Sequence, residues 1–91
     1  MDSSIFRWNE KKNILLKNER NICFEDVITS LRSDKLLDIV KNPSANREGQ
    51  YCFIIDIAHY AYVVPFVKDG DSFFLKTIYP SRKQTKKYLQ E

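Results

Sequence analysis

The basic side chains of this chain are concentrated near its C-terminal end. Residues 73–90 contain five Lys or Arg and no acidic residue, whereas residues 1–72 contain ten basic and eleven acidic residues. The formal net charge of +3 is therefore a local property of the last part of the chain. A cluster of like charge on a small protein attracts a polyanion such as RNA. The five basic residues are Lys76, Arg82, Lys83, Lys86 and Lys87.

RNA cleavage without a metal needs a base, an acid and positive charge, and this segment offers Lys, Arg and Tyr but no His or Glu. In that reaction the 2′-hydroxyl attacks the adjacent phosphate, and positive charge must stabilise the phosphorane that forms. Arg82 is the best candidate for this role, because its planar guanidinium pairs with phosphate oxygens. Lys76 and Lys83 could share the charge, and Tyr79 could donate a hydrogen bond or stack on a base.

The same segment supplies candidates for RNA binding, namely Ser81, Lys86, Lys87 and Tyr88. A plainer interpretation remains open for each group. A basic terminal helix is commonly a solvated face, and tyrosines are commonly half-buried packing residues. His59, the only histidine, could act as a general base but lies at a predicted turn, remote in sequence from the basic segment.

Composition limits the other classes of function. Ninety-one residues predict one small domain, residues 1–91. The two cysteines are far apart and predict free, buried thiols, and with a single histidine they make no recognisable metal site. Only two glycines are present, so no glycine-rich phosphate loop exists, and we expect no cofactor. No apolar run is long enough to cross a bilayer and no signal peptide is recognisable, so we expect a cytoplasmic protein without membrane contact.

The first half of the chain predicts a strand, two helices and a strand. A short β-prone run at residues 5–8 precedes Asn9, which suits a helix N-cap, and Asn21 suits the end of that helix. Apolar residues then follow a helical stripe: Phe24, Val27, Ile28 and Leu31. Residues 36–40 predict a strand, and residues 42–49 predict a loop.

The second half predicts β structure and a short terminal helix. Residues 51–57 and 60–67 form a predicted hairpin, in which Pro65 marks an edge or a bulge. Residues 72–79 predict a further strand, with Tyr79 on the face of Phe73 and Leu75, and with Phe74, Lys76 and Ile78 opposite. Ser81 and Gln84 fit a capping box for a weakly anchored helix at residues 82–90. Together these elements predict an α+β fold with helices on one face of a mostly antiparallel sheet.

The predicted hairpin carries apolar residues on both of its faces. Two buried faces exceed what the few short helices can cover. We therefore expect another chain, a partner protein or a second copy, to cover part of the sheet.

Three segments, in the same order along the chain, resemble the BrnT-type toxins. Residues 6–13, FRWNEKKN, resemble the opening F-x-W-[DN]-x-x-K-N of that family. Residues 22–27, ICFEDV, resemble the helix start [VI]-x-F-E-[DE], and residues 75–88 resemble the strand and basic helix that close the family's chains. The similarity spans nearly the whole chain.

This resemblance implies a RelE-like fold: a mostly antiparallel sheet of four to five strands, two N-terminal helices and a short C-terminal helix. It implies the toxin of a type II toxin–antitoxin system, an endoribonuclease that cleaves mRNA, free or on the ribosome, and inhibits translation. The implied partner is a cognate DNA-binding antitoxin, through which alone the complex would contact operator DNA, as a dimer or heterotetramer. Arg47 joins the RNA-binding candidates by this resemblance.

Two other functions remain open at this stage. One is a non-catalytic module that binds a protein or a nucleic acid through the same basic surface. The other is a toxin of the same fold with a different target, such as gyrase. The basic residues and tyrosines of the C-terminal segment are compatible with either.

Overall fold

A computed structural model describes residues 5–42 and 50–90 of the chain. These residues form three helices and six strands, in an α+β arrangement. In chain order the elements are β1 (Phe6–Trp8), α1 (Glu10–Arg20), α2 (Phe24–Arg32), β2 (Leu36–Lys41), β3 (Gln50–Ile57), β4 (Tyr60–Asp69), β5 (Ser72–Leu75), β6 (Tyr79–Pro80) and α3 (Arg82–Tyr88). Within the described ranges, no helix has the length and apolar character needed to span a bilayer.

Local signals in the sequence fix both ends of α1, as predicted. The Asn9 side chain accepts a hydrogen bond from the backbone N–H of Lys12, which satisfies one of the free donors at the helix start. At the other end Asn21 adopts the left-handed conformation, with φ 55°, that terminates helices. The helix turns Leu16 into the core, whereas Ile14 and Leu15 remain exposed.

The predicted apolar stripe of α2 is confirmed, because Phe24, Val27 and Ile28 are buried. A buried amide joins α1 to the start of this helix. The Asn13 Oδ1 accepts from the Phe24 N–H at 2.7 Å, and its Nδ2 donates to Glu25 Oε1 at 2.8 Å. This donated hydrogen bond is the main reason that the pKa of Glu25 lies below its usual value.

Replacing Asn13 by alanine should destabilise the fold by about 1–3 kcal/mol, because the buried Phe24 N–H loses its partner. The pKa of Glu25 should rise in the same variant, since the hydrogen bond that lowers it is gone. Urea unfolding and an NMR titration of Glu25 measure the two effects. Asn18→Ala, at an exposed position of the same helix, is the matched control; equal losses from both variants would contradict the assignment.

The sheet is mostly antiparallel, as predicted, but it is mixed, because it contains one parallel pair. Its strand order is β1-β5-β4-β3-β2, and β6 pairs with β4 beyond the end of β5. The N-terminal strand β1 pairs with β5 in parallel, with Phe6 opposite Phe73 and Trp8 opposite Leu75. The other four pairings are antiparallel. Parallel pairing needs a long crossover, and the segment from α1 to β4 supplies it.

Helices cover both faces of the sheet, so the prediction that they lie on one face is wrong. The first face packs against α1 and α2, and it contains a cluster of stacked rings that includes Phe53 and Phe66, with centroids 4.1 Å apart. The second face carries a smaller apolar cluster, against which α3 packs. That cluster consists of Cys52, Ile54, Ala61 and Val63, with Leu37, Val40, Tyr88 and Leu89 at its margin.

The predicted hairpin of β3 and β4 is confirmed as the centre of the sheet. Its two turn residues, Ala58 and His59, both have positive φ, 54° and 64°. This is the backbone of a type I′ turn, whose twist matches that of the flanking strands. The predicted turn before β5 is also present, with Gly70 at φ 59°. The loop predicted at residues 42–49 lies almost entirely outside the described residues.

Candidate functional site

The segment that connects β5 to β6, just before α3, contains a β-bulge opposite β4. Leu75 pairs with Phe66, but Tyr79 pairs with Val63. Leu75 and Tyr79 are four residues apart, whereas their partners Phe66 and Val63 are three residues apart. The segment from β5 to β6 therefore contains one extra residue relative to β4. Because side chains alternate between the faces of a sheet, one extra residue reverses the side on which every later side chain lies.

Burial of Ile78 explains the bulge. Ile78 is completely buried in the first-face cluster together with Leu75, which a regular strand would not allow for residues three apart. The extra residue brings both to the first face and turns Tyr79 to the second face. The prediction that Tyr79 shares a face with Phe73 and Leu75 is therefore wrong, and so is the one that puts Ile78 beside Phe74.

Two neighbours accommodate this irregular segment. Arg20, at the end of α1, donates from Nη1 to the Ile78 carbonyl at 2.6 Å. Pro65, in β4, accepts a hydrogen bond from the Lys76 N–H at 2.8 Å. In a strand, the N–H and the C=O of one residue point to the same side. The Pro65 carbonyl points to the bulge, so its nitrogen does too, and the N–H that proline lacks would not have paired with β3. Pro65 thus marks a bulge, one of the two predicted alternatives, although it lies in a central strand.

The C-terminal helix is held on the second face by a hydrogen-bond network, in contrast to the weak anchoring predicted for it. Half of the predicted capping box is confirmed, since the Ser81 hydroxyl accepts from the Gln84 N–H at 3.2 Å. The reciprocal half is not formed, because the Gln84 Oε1 accepts no hydrogen bond from the described residues. The buried Thr85 hydroxyl accepts from the Ala61 N–H at 2.9 Å and donates to the Ser81 carbonyl at 2.8 Å. At the far end of the helix the Tyr88 hydroxyl donates to Asp38 in β2.

These contacts fix the course of α3 over the sheet. The helix begins beside β6, where the Ser81 N–H donates to the Ala61 carbonyl, and it ends over β2 at the Tyr88–Asp38 contact. Its first turn, with Arg82 and Lys83, is therefore close to Tyr79, and both basic residues are exposed. Lys76 is also exposed, and its position opposite Pro65 in the register places it on the second face.

The four candidate catalytic residues lie on consecutive segments around one junction, where β5, β6 and α3 meet. Burial raises the pKa of the Tyr79 phenol, and the neighbouring Cys52 adds to this increase. The phenol is therefore neutral near pH 7 and can donate a proton or a hydrogen bond there. The Lys and Arg residues supply positive charge beside it.

The RNA-binding candidates are distributed differently. Lys86 and Lys87 are exposed in the last turn of α3, and the Lys87 ammonium lies 5.2 Å from the centre of the Tyr88 ring. Ser81 and Tyr88 already have structural roles, as the N-cap of α3 and as its anchor to β2. An RNA contact by any of the four stays a prediction. Arg47 lies outside the described residues.

The Tyr88–Asp38 contact should make stability depend on pH at both extremes. The hydrogen bond from Tyr88, with a second one from the Ile39 N–H, lowers the pKa of Asp38, and the same contact raises the pKa of Tyr88. The carboxylate contribution is present above about pH 4 and is lost as the pH falls through the lowered pKa. The phenol contribution is present below about pH 10 and is lost as the pH rises through the raised pKa.

Replacing Tyr88 by phenylalanine should therefore lower the free energy of unfolding most between these limits. The difference from the wild type should shrink at both ends of the pH range. Urea unfolding of the two proteins between about pH 3 and pH 11, a range that brackets both ordinary pKa values, measures it. A constant difference at every pH would show that the lost hydroxyl acts through packing alone.

Two exposed side chains beside this junction, one in β1 and one in β5, were not singled out as site residues from the sequence. Arg7 and Phe74 lie opposite each other in the parallel pair of β1 and β5, and both are exposed. Their neighbours Phe6, Trp8, Phe73 and Leu75 all pack into the first-face cluster, so Arg7 and Phe74 point to the second face. The sequence did contain a signal for Phe74, because it is an aromatic residue on the same face of the predicted strand as Lys76. We call the exposed second-face residues Arg7, Phe74, Lys76 and Tyr79 the open patch.

A different concavity lies between α1 and α2. It has a volume of about 430 Å³ and is lined by Glu10, Asn13, Ile14, Lys17, Cys23 and Glu25. Burial raises the pKa of the Cys23 thiol, although the backbone N–H of Asp26 opposes this increase, so the thiol is a poor nucleophile at neutral pH. In the part of the chain that the structure describes, no three His, Cys, Asp or Glu side chains are arranged to hold a metal ion.

Comparison of the chain with known proteins found no matching family model, no matching curated protein and no matching solved structure. The function must therefore be argued from the junction of β5, β6 and α3 and from the sequence resemblance.

Proposed function

We propose that this protein is a BrnT-like toxin of a type II toxin–antitoxin system, with a RelE-like fold, that cleaves RNA without a metal ion. The observation that carries the proposal is that Lys76, Tyr79, Arg82 and Lys83 are all exposed and follow one another through the junction of β5, β6 and α3. The first three contribute a cation, a neutral phenol and a guanidinium. They supply an acid for the leaving oxygen and positive charge for the phosphorane, while water takes the proton of the attacking hydroxyl.

The proposed reaction is an internal displacement at phosphorus. The 2′-hydroxyl gives its proton to water and its oxygen forms a bond to phosphorus, while the bond from phosphorus to the 5′-oxygen breaks. The leaving oxygen takes the proton of the Tyr79 phenol, which solvent later restores. Arg82 pairs with the non-bridging oxygens, whose charge increases in the phosphorane, and Lys76 and Lys83 add to the positive potential.

Two partners belong to this proposal. The substrate is mRNA, free or on the ribosome, so that cleavage stops translation. The second partner is a cognate antitoxin that neutralises the toxin and carries the only contact to operator DNA, in a dimeric or heterotetrameric complex. The sheet needs a covering chain less than its sequence predicts, because α3 itself covers the Cys52–Ala61–Val63 region of the second face.

The experiment is induction of the wild-type protein, and of Arg82→Ala, in a bacterial host that lacks the antitoxin. Growth arrest with cleaved transcripts that carry 2′,3′-cyclic phosphate and 5′-hydroxyl ends would support the proposal. Cleavage of RNA by the purified protein should persist in EDTA. Intact transcripts in arrested cells would point to another target, such as gyrase. Normal growth with a folded, well-expressed protein would favour a non-catalytic binding module.

A further inference from the structure

Phe74 is an exposed aromatic side chain for which the fold offers no packing role. About 40% of its surface is accessible, as is 39% of Tyr79 on the same face. Other rings of this sheet region contact one another on the first face, where Phe66 stacks on Phe53 and meets Phe73 edge-on. Leaving a phenylalanine ring in water forgoes about 1.5–3 kcal/mol of burial free energy, so an exposed ring without a partner is informative.

The register of the sheet sets the spacing between Phe74 and Tyr79. Phe74 lies opposite Val67 of β4, and Tyr79 lies opposite Val63. Four residues of a strand span about 13 Å, at about 3.3 Å per residue. Lys76 and Pro65 lie between the two rings, on the same face. The two aromatic residues therefore bracket a strip of sheet surface that is apolar along its middle and has a cation beside it.

The charges around this strip favour a polyanion. Arg7 is the cross-strand neighbour of Phe74, Lys76 lies between the rings, and Arg82 and Lys83 follow Tyr79 at the start of α3. The acidic residues closest in sequence to Phe74, Asp71 and Asp69, lie at the turn between β4 and β5. Cations beside exposed rings match single-stranded RNA, whose phosphates pair with the cations while its unpaired bases stack on the rings.

We propose that Phe74 is a base-stacking platform that binds a nucleotide of single-stranded RNA on the open patch, with Arg7 pairing with the adjacent phosphate. This inference rests on the proposed function in RNA cleavage. It adds that Phe74, on the second face of the sheet, positions the RNA. A nucleotide held on Phe74 lies a short distance along the strand direction from Tyr79, where the scissile phosphate is placed. A duplex does not bind in this way, because its bases are already stacked and paired.

The test uses a short fluorescent 2′-O-methyl oligonucleotide, which cannot be cleaved, and measures its affinity for the whole protein by anisotropy. Phe74→Ala should weaken binding about 5- to 150-fold, the range measured for one stacked base. Phe74→Tyr should retain most of the affinity, since a ring remains. Tyr51→Ala is the matched control, because Tyr51 is 39% exposed but belongs to the first face, where its ring lies 6.1 Å from that of Phe66.

A second readout separates stacking from a general change in the protein. A 2-aminopurine base in the same oligonucleotide should change its emission on binding to the wild type and to Phe74→Tyr, and much less with Phe74→Ala. The same sequence annealed to its complement should compete poorly. Arg7→Ala should weaken binding and reduce its dependence on salt concentration, as the loss of one phosphate contact requires.

The outcomes distinguish this inference from the proposed function. Unchanged affinity of Phe74→Ala for the oligonucleotide overturns the platform, even if the wild type cleaves transcripts in cells. Weaker binding by Phe74→Ala, with intact transcripts in cells, supports the platform and overturns the nuclease. A wild-type protein that binds no oligonucleotide also overturns the platform, and an antitoxin-like protein bound through Phe74 would then be the alternative occupant.

Discussion

Replacing Arg82 by alanine should reduce the rate of RNA cleavage about 10²- to 10³-fold, the usual cost of losing one well-placed electrostatic donor. Growth arrest should be relieved in parallel. The expected cause is the loss of the guanidinium that pairs with the non-bridging oxygens of the phosphorane. Arg82→Lys should recover only part of the rate, because an ammonium keeps the charge but cannot form two parallel hydrogen bonds.

Arg82→Ala should leave the fold intact, which makes the result interpretable. The side chain is exposed, and the cap of α3 depends on Ser81 and Gln84 rather than on Arg82. Lys11→Ala, which removes an exposed cation from α1, is the matched control for the change in net charge. Equal losses of cleavage from the two variants would mean that overall charge, and not a group at the junction, supports activity.

Replacing Phe53 by alanine should lower the free energy of unfolding by about 3–5 kcal/mol, the typical cost of truncating a buried phenylalanine. Phe53 is almost fully buried at the centre of the first-face cluster. Its ring stacks on Phe66 at 4.1 Å and meets Phe6 and Phe73 edge-on at 6.3 and 6.1 Å. Alanine would remove these contacts and leave a cavity that a sheet and two helices cannot collapse to fill.

Urea unfolding of Phe53→Ala and of Phe74→Ala tests this expectation directly. A natural domain is stable by only about 5–15 kcal/mol, so the first variant should be close to unfolding at moderate temperature. Phe74→Ala removes the same group from an exposed position of the same sheet and should cost far less. If the two variants were equally destabilised, Phe74 would have a packing role, which its exposure does not indicate.

The helix boundaries were accessible from the sequence because their causes are local. Asn9 and Ser81 cap helices through hydrogen bonds that span three residues, and Asn21 ends one through its own backbone conformation. The hairpin of β3 and β4 was equally predictable, since its two-residue turn joins two β-prone runs. The concentration of cations near the C-terminal end is likewise a property of the sequence itself.

The pairing of distant segments was not accessible in the same way. Whether β1 joins the sheet at β5 in parallel depends on contacts between residues more than sixty positions apart, such as Phe6 with Phe73. The position of α3 on the second face depends on Thr85 reaching Ala61 and on Tyr88 reaching Asp38. No local pattern encodes these partners, because their stabilisation comes from packing that forms only when the chain is folded.

The sequence by itself determined that cations, a tyrosine and a serine cap follow one another near the end of this chain. Only the tertiary structure decided which face they share. A strict alternation places Tyr79 with Leu75, but burying Ile78 beside Leu75 requires one extra residue, and that residue turns Tyr79 toward Phe74 and Lys76. The face on which each strand side chain lies depends on the register with the neighbouring strand. A bulge can therefore be recognised only when both paired segments and the core beneath them are known.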